Sequence, residues 1–338
     1  MADFGQKEQY ERWVKPAPIS NLYPYAYNFK LVESMDELKA LMSMNFNCMA
    51  FDTETTGLNL DTAEMVGFSF CFDGKNAYYV PIDHAPYYED IIEQVDIETY
   101  EVNKDNLDYF YDDKKNGFFH KVGQVEYNDN LPEEAVEIFY NRMTQCKFVF
   151  MFNARFDMRV FEKHGFIKNN VSFEDRYKTL FYKYDMSKVN FLDVQALIFL
   201  SDTNVPYPNL KGSEEYFLGW RGASFKDTLG DVENFKYLKP KECYVYAATD
   251  ALGTFLLAEK TYFYYQEPAK YTRYPNKPHS GILDNNFLYP LMMMEEELTQ
   301  IDVEMLKDYS EYYGKNIDEV ERETRRIAGD PEFNLGSP

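Results

Sequence analysis

Long hydrophobic runs are missing from this chain: none approaches the roughly twenty apolar residues that a membrane-crossing helix requires. The first residues, Met1-Ala2-Asp3-Phe4-Gly5-Gln6-Lys7-Glu8, lack a signal-peptide pattern, so a soluble, cytoplasmic protein is expected. Cysteine is scarce. The four present, Cys48, Cys71, Cys146 and Cys243, lie far apart without a C-x-x-C spacing. The first three fall in or beside strand-like runs, which reads as buried thiols rather than zinc ligands or disulfides. The four histidines (His84, His120, His164, His279) are dispersed without metal-binding spacing and read as surface or loop residues. Neither G-x-G-x-x-G nor G-x-x-x-x-G-K-[ST] occurs, which counts against a dinucleotide fold and a P-loop ATPase.

Positive charge is also short. Against 57 acidic residues stand 35 Lys and Arg, a net charge of −22. Proteins that cling to nucleic acid by neutralising phosphates depend on Lys and Arg, so this balance argues against that mode. It leaves room for an enzyme that grips a few nucleotides through metal ions. Lys114, Lys115, Lys236, Lys239, Lys241, Arg325 and Arg326 are candidates for backbone contact, although the acids around them favour solvated faces.

What remains is a globular composition, 45% hydrophobic and 18% aromatic over 338 residues, enough for one large or two ordinary domains. Residues 1–45 read as an N-terminal extension broken by Pro16, Pro18 and Pro24, with a helix near Met35–Met42. Strand-like runs follow at Cys48–Asp52, Met65–Phe72 and Ala77–Pro81, the last two joined by an Asp73-Gly74 hairpin turn. Residues 84–130 are polar, acidic and tyrosine-rich, with a loop tip at 112–117. A helix over Leu131–Gln145, a buried strand over Lys147–Phe152, a helix from near Asn153 and another over Lys241–Tyr262 come next. The main domain is thus 46–262. A proline-bearing linker at 263–285 and two further helices within 286–338 complete the chain, the second capped by Asp302. Strands in series, then helices alternating with strands, indicate an α/β fold with a mixed central sheet flanked by helices.

Three short patterns carry chemistry. In Phe51-Asp52-Thr53-Glu54, directly after the apolar Cys48-Met49-Ala50, strand alternation points Asp52 and Glu54 the same way. Adjacent carboxylates at the end of a buried strand are costly to ionise, and a bound hard cation such as Mg²⁺ or Mn²⁺ removes that cost. In Asn153-Ala154-Arg155-Phe156-Asp157, continuing to Phe161, residues 153, 157 and 161 recur every four positions and share a helix face. Asp157 could be a first-turn acid complementing the helix dipole, but Val160 and Phe161 turn this helix inward, where a carboxylate needs a partner. In Tyr246-Ala247-Ala248-Thr249-Asp250, Tyr246 and Asp250 share a face amid small residues.

In this order, Asp-x-Glu on a strand, Asn-x-x-x-Asp on a helix and Tyr-x-x-x-Asp on a late helix resemble the DEDD superfamily of 3′→5′ exonucleases, and more narrowly the proofreading domain of family A DNA polymerases. Met65–Phe72 with Ala77-Tyr78-Tyr79-Val80-Pro81-Ile82 looks like that family's hairpin, and Phe333-Asn334-Leu335-Gly336-Ser337-Pro338 resembles its lead-in to the polymerase domain. The resemblance covers about 46–262 and 285–338. Relatives with a catalytic histidine carry it five residues before the last Asp, where this chain has Val245; Tyr246 marks the tyrosine type.

The resemblance implies a ribonuclease H-like fold and two divalent metal ions, Mg²⁺ or Mn²⁺, held by Asp52, Glu54, Asp157 and Asp250. Tyr246 would orient the attacking water, positioning rather than abstracting a proton, since a tyrosine hydroxyl titrates near pH 10. Leu58 matches a position that wedges beside the terminal base, and Phe225 is a second stacking candidate, with Asn153 and Phe161 on the substrate side. The expected activity is removal of mispaired primer ends during DNA replication, acting on single-stranded or frayed 3′ DNA. An RNA-trimming exonuclease and a catalytically silent scaffold are the alternatives. The segments 84–130 and about 169–189 exceed the family's usual lengths. The chain stops where a polymerase domain would begin, so no synthesis is expected from it alone. A polymerase domain in cis or as a separate subunit is the expected partner, with a bacteriophage source, hence host cytoplasm, and no membrane.

Overall fold

The computed structural model describes residues 27–168, 183–201, 209–219, 225–266, 280–296 and 301–335. The chain forms two units by contact, Met1–Met292 and Met293–Pro338. In the first, β1 (Asn28–Leu31) and α1 (Met35–Met42) precede β2 (Cys48–Thr55), β3 (Met65–Cys71) and β4 (Asn76–Pro81). Then come β5 (Tyr87–Val95), α2 (Ile97–Asn103), β6 (Tyr109–Asp112), β7 (Gly117–Tyr127), α3 (Glu134–Met143), β8 (Phe148–Met151) and α4 (Ala154–Lys168). β9 (Phe191–Asp193), α5 (Val194–Ser201), α6 (Leu210–Ser213), α7 (Phe225–Leu229), α8 (Pro240–Gln266) and α9 (Ser280–Glu296) follow.

Six strands build the main sheet in the order β1-β4-β3-β2-β8-β9. β2, β3 and β4 run antiparallel to their neighbours in that trio, while β1 on β4, β8 on β2 and β9 on β8 are parallel. This mixed central sheet flanked by helices is the α/β architecture expected from the order of strands and helices. Gly74, with φ 67°, turns the β3–β4 hairpin in a conformation that suits glycine. β1 belongs to this sheet and α1 packs on its core through Leu38 and Met42. The stretch expected as an extension therefore contributes an edge strand and a covering helix.

Alternation along β2 sorts its side chains between two cores. Phe51 joins Phe68, Phe139 and Phe161 in an aromatic cluster beneath α1, α3 and α4. Ala50 faces the other side with Phe150, Ala248, Ala251 and Phe255, beneath α8. Burying each such phenylalanine contributes on the order of 2–3 kcal/mol. The small residues Ala247, Ala248 and Ala251 let α8 lie close against the sheet. Asp52 and Glu54 share the Ala50 side and meet α8, and Thr53 points toward α4.

Three expectations are corrected here. Residues 84–130 hold a separate three-stranded sheet, β5-β7-β6, because half-exposed polar strands lack the apolar run by which a strand is recognised. His84 and His164 are buried, not surface residues. His84 Nδ1 donates to the Leu238 carbonyl (2.8 Å), which leaves Nε2 to accept from the Tyr79 hydroxyl (2.7 Å). Burial pushes the His84 imidazole down to about 4. Helices occupy both ends of the linker range expected at 263–285, since α8 runs to Gln266 and α9 starts at Ser280; residues between them, like 169–182, lie outside the described set.

The second unit carries α10 (Val303–Ala328), N-capped by the Asp302 carboxylate, which accepts from the Met305 N–H at 2.9 Å. It ends at Gly329, φ 67°. Arg325 and Arg326 pair with Glu321 and Glu323 on the same helix, as solvated faces do. No helix among the described residues is long and apolar enough to cross a membrane.

Candidate active site

A cleft of about 580 Å³ opens at the C-terminal end of β2. Its walls include Asp52 and Glu54 from β2, Asn153 and Asp157 from the β8–α4 corner, and Tyr246 and Asp250 from α8. Leu58 and Phe225 stand at the same cleft, both exposed, Leu58 at 88%. Residues that are far apart in the chain thus converge because a strand end, a helix start and a long crossing helix meet there. Phe161 does not line the cleft. It shares a helical side with Asp157, but one turn further along α4 it enters the aromatic core, edge-on to Phe51 at 5.5 Å.

One oxygen each from Asp52, Glu54 and Asp250 lies within 4.8 Å of the others. Glu54 and Asp250 are buried, and Glu54 Oε1 has no hydrogen-bond partner among the described residues. Burial pushes the Asp52 carboxyl well above the usual range, with Asp157, Asp250 and Glu54 adding like-charge repulsion. Burial and Asp250 do the same to Glu54. An all-oxygen donor set with an orphaned buried oxygen fits a hard divalent cation such as Mg²⁺ or Mn²⁺.

Asp157 is held from below. Thr53 donates its backbone N–H (2.9 Å) and its hydroxyl (2.6 Å) to Asp157 Oδ1. Burial raises this carboxyl to about 7, against the pull of the Thr53 hydrogen bonds. Asn153 adopts φ 61°, a left-handed conformation that asparagine tolerates better than most residues, and this turns the chain from β8 into α4. The Asn153 and Ala154 N–H groups donate to the Asp193 carboxylate at 3.2 and 3.0 Å.

Several of these groups escaped the sequence reading. Asp193, buried and raised by that burial to about 6, also accepts from the Gln195 N–H at 2.8 Å as the cap of α5. An aspartate just before an apolar helical run was its available signal. Thr53 carried no signal beyond standing between two acids. Lys211 Nζ contacts Asp250 Oδ1, stands 3.6 Å from Glu214 Oε2 and lies 4.9 Å from the Tyr246 ring centre. Glu214 is buried, which raises its carboxyl to about 8. Glu233 and Asn234 also border the cleft. Of the basic candidates, Lys236 pairs with Glu64 (3.0 Å) and Asp83 (3.1 Å) and so anchors a loop.

A mixed α/β domain whose cleft gathers buried carboxylates able to hold divalent cations is therefore the class that fold and site define. No family model matches the chain. Its sequence is similar to DNA polymerase I of Treponema pallidum (strain Nichols), 24% identical over 304 residues, covering 86% of this chain and 26% of that protein. The chain thus spans about a quarter of that relative's length. Among solved structures, the apo form of a nuclease aligns with a TM-score of 0.46 and 12% identity, over 83% of this chain and 99% of that one. Escherichia coli RNase D, an exoribonuclease involved in structured RNA processing, aligns at 0.43 and 14%, over 80% and 52%. Brucella melitensis NrnC aligns at 0.42 and 14%, over 80% and 93%.

Proposed function

We propose that this chain is a metal-dependent 3′→5′ exonuclease of the DEDD superfamily, tyrosine type, that hydrolyses the terminal phosphodiester of DNA. The observation that carries it is the meeting of Asp52, Glu54, Asp157, Tyr246 and Asp250 at one cleft. The similarity to a DNA polymerase favours DNA over RNA and a proofreading role beside a polymerase domain.

Asp52, Glu54 and Asp250 would hold one divalent ion and Asp157, with Asp52, a second. Such ions supply charge stabilisation for the attacking and leaving oxygens of a phosphodiester. The chain's own groups do the positioning. Thr53 keeps one Asp157 oxygen occupied and so sets the direction of the other. The Tyr246 hydroxyl orients the attacking water as a neutral donor and acceptor. Burial first, then Asp250 and Glu54, raise it above its ordinary value, so it keeps its proton at neutral pH. Leu58 and Phe225 offer exposed apolar surface beside the acids on which a terminal base can stack without regard to sequence. With net charge −22, affinity for free DNA should be weak and salt-sensitive.

Side-by-side digestion of 5′-labelled single-stranded DNA and RNA of one sequence tests the substrate. Preferential shortening of DNA is expected, and equal or faster RNA trimming would overturn that assignment.

A further inference from the structure

We propose that Lys211 is a built-in counter-cation of the carboxylate cluster, holding Asp250 until a divalent ion binds and then withdrawing onto Glu214. The proposal rests on the cation-binding reading of the cluster.

Lys211 lies on α6, outside the three motifs, yet its ammonium reaches Asp250 and lies over the Tyr246 ring. Its charge draws both the Glu54 and the Asp250 carboxyls down against the upward push of burial. An ammonium and a divalent ion drawn to the same Asp250 carboxylate repel each other, so occupancy by one costs the other. The destination is prepared. Glu214 is 1% exposed, neither of its oxygens has a hydrogen-bond partner among the described residues, and the Lys211 ammonium is already 3.6 Å away. A buried carboxylate in that condition stabilises the fold only when a cation comes to it. Gly253 makes the berth possible, because a Cβ there would collide with the Glu214 carboxylate. Asp250 and Gly253 sit one turn apart on α8, so the metal ligand and the berth are fixed to one rigid element. The ammonium therefore travels a short way between two acids and stays paired throughout.

Mn²⁺ binding to the full chain, followed by electron paramagnetic resonance titration, tests this. Lys211→Met should bind Mn²⁺ roughly tenfold more tightly than the unaltered chain, because the competing charge is gone. Glu214→Gln, nearly the same shape, should bind it several-fold more weakly, because Lys211 then has nowhere to withdraw. The double variant should match Lys211→Met, since Glu214 acts only through Lys211. A purely structural role would weaken binding in both single variants. Unchanged or weaker binding in Lys211→Met, or a Glu214→Gln effect that persists in the double variant, would overturn the proposal while leaving the nuclease reading intact. If Lys211→Met does not fold, unchanged or tighter binding by Glu214→Gln overturns it alone. If the unaltered chain binds no Mn²⁺ that an Asp52→Asn, Glu54→Gln variant loses, both readings fall.

Discussion

Thr53 and Asp157, 104 residues apart, are joined by two hydrogen bonds that end on one carboxylate oxygen. The backbone bond comes with the strand, but the hydroxyl bond belongs to the side chain. Thr53→Val keeps shape and removes only the latter. Exonuclease activity should fall about tenfold or more while stability drops by about 1–2 kcal/mol, and Thr53→Ser should restore most of the activity. Kinetics on a labelled oligonucleotide beside urea denaturation would show this, and an unaffected rate would remove Thr53 from the site.

Burial of the acids ties stability to pH. The Asp157 carboxyl titrates at about 7 in the folded chain and near 4 when unfolded. The folded state therefore binds the proton more tightly, and its advantage is complete below about pH 4 and lost as pH rises through about 7. In EDTA, stability should fall across that window by an amount on the order of a few kcal/mol. Asp157→Asn or saturating Mn²⁺ should flatten the slope. Chemical denaturation at a series of pH values checks it, and stability that climbs with pH in EDTA would contradict the burial described here.

How much of this could be read in the sequence depends on what each residue does. Asp52, Glu54, Asn153, Asp157, Tyr246 and Asp250 were legible because their order along the chain resembles that of an exonuclease superfamily, periodicity adding that Asp52 shares a face with Glu54 and Tyr246 with Asp250, and all six line one cleft. Phe161 obeyed the same four-residue spacing and still went to the core, since spacing fixes a side of the helix and says nothing of depth. Lys211 reaches Asp250 across 39 residues of chain and Asp193 reaches the Asn153 N–H across 40, long-range roles that no local pattern records. His84 and His164 read as surface or loop residues because single polar positions carry no periodicity that would reveal their burial. The sheet of β5, β6 and β7 was hidden by its own exposure.

Leu58 and Phe161 give opposite tests. Leu58 is 88% exposed, so Leu58→Ala should leave the melting temperature unchanged and raise the KM for single-stranded DNA several-fold, as the loss of an apolar contact of about 1 kcal/mol would. Phe161→Ala should cost about 3–5 kcal/mol of stability through the cavity it leaves, with no selective change in KM. Thermal melts paired with steady-state kinetics separate the two, and a KM effect confined to Phe161→Ala would reverse the assignment.

Tyr246→Phe isolates the hydroxyl. It should reduce kcat about a hundredfold, in the range of a positioned proton-transfer or water-orienting group, without weakening Mn²⁺ binding. The pH profile of the unaltered chain should show no loss of activity near the ordinary tyrosine value of about 10, because burial and the neighbouring acids hold the hydroxyl protonated. An intact kcat in Tyr246→Phe would remove it from the reaction.

The most direct measurement follows a 5′-labelled single-stranded DNA with Mg²⁺ or Mn²⁺, comparing the unaltered chain with an Asp52→Ala, Glu54→Ala double variant. A ladder shortening one nucleotide at a time from the 3′ end is expected, abolished by EDTA and by the double variant. No shortening by the unaltered chain, or undiminished shortening by the variant, would contradict it.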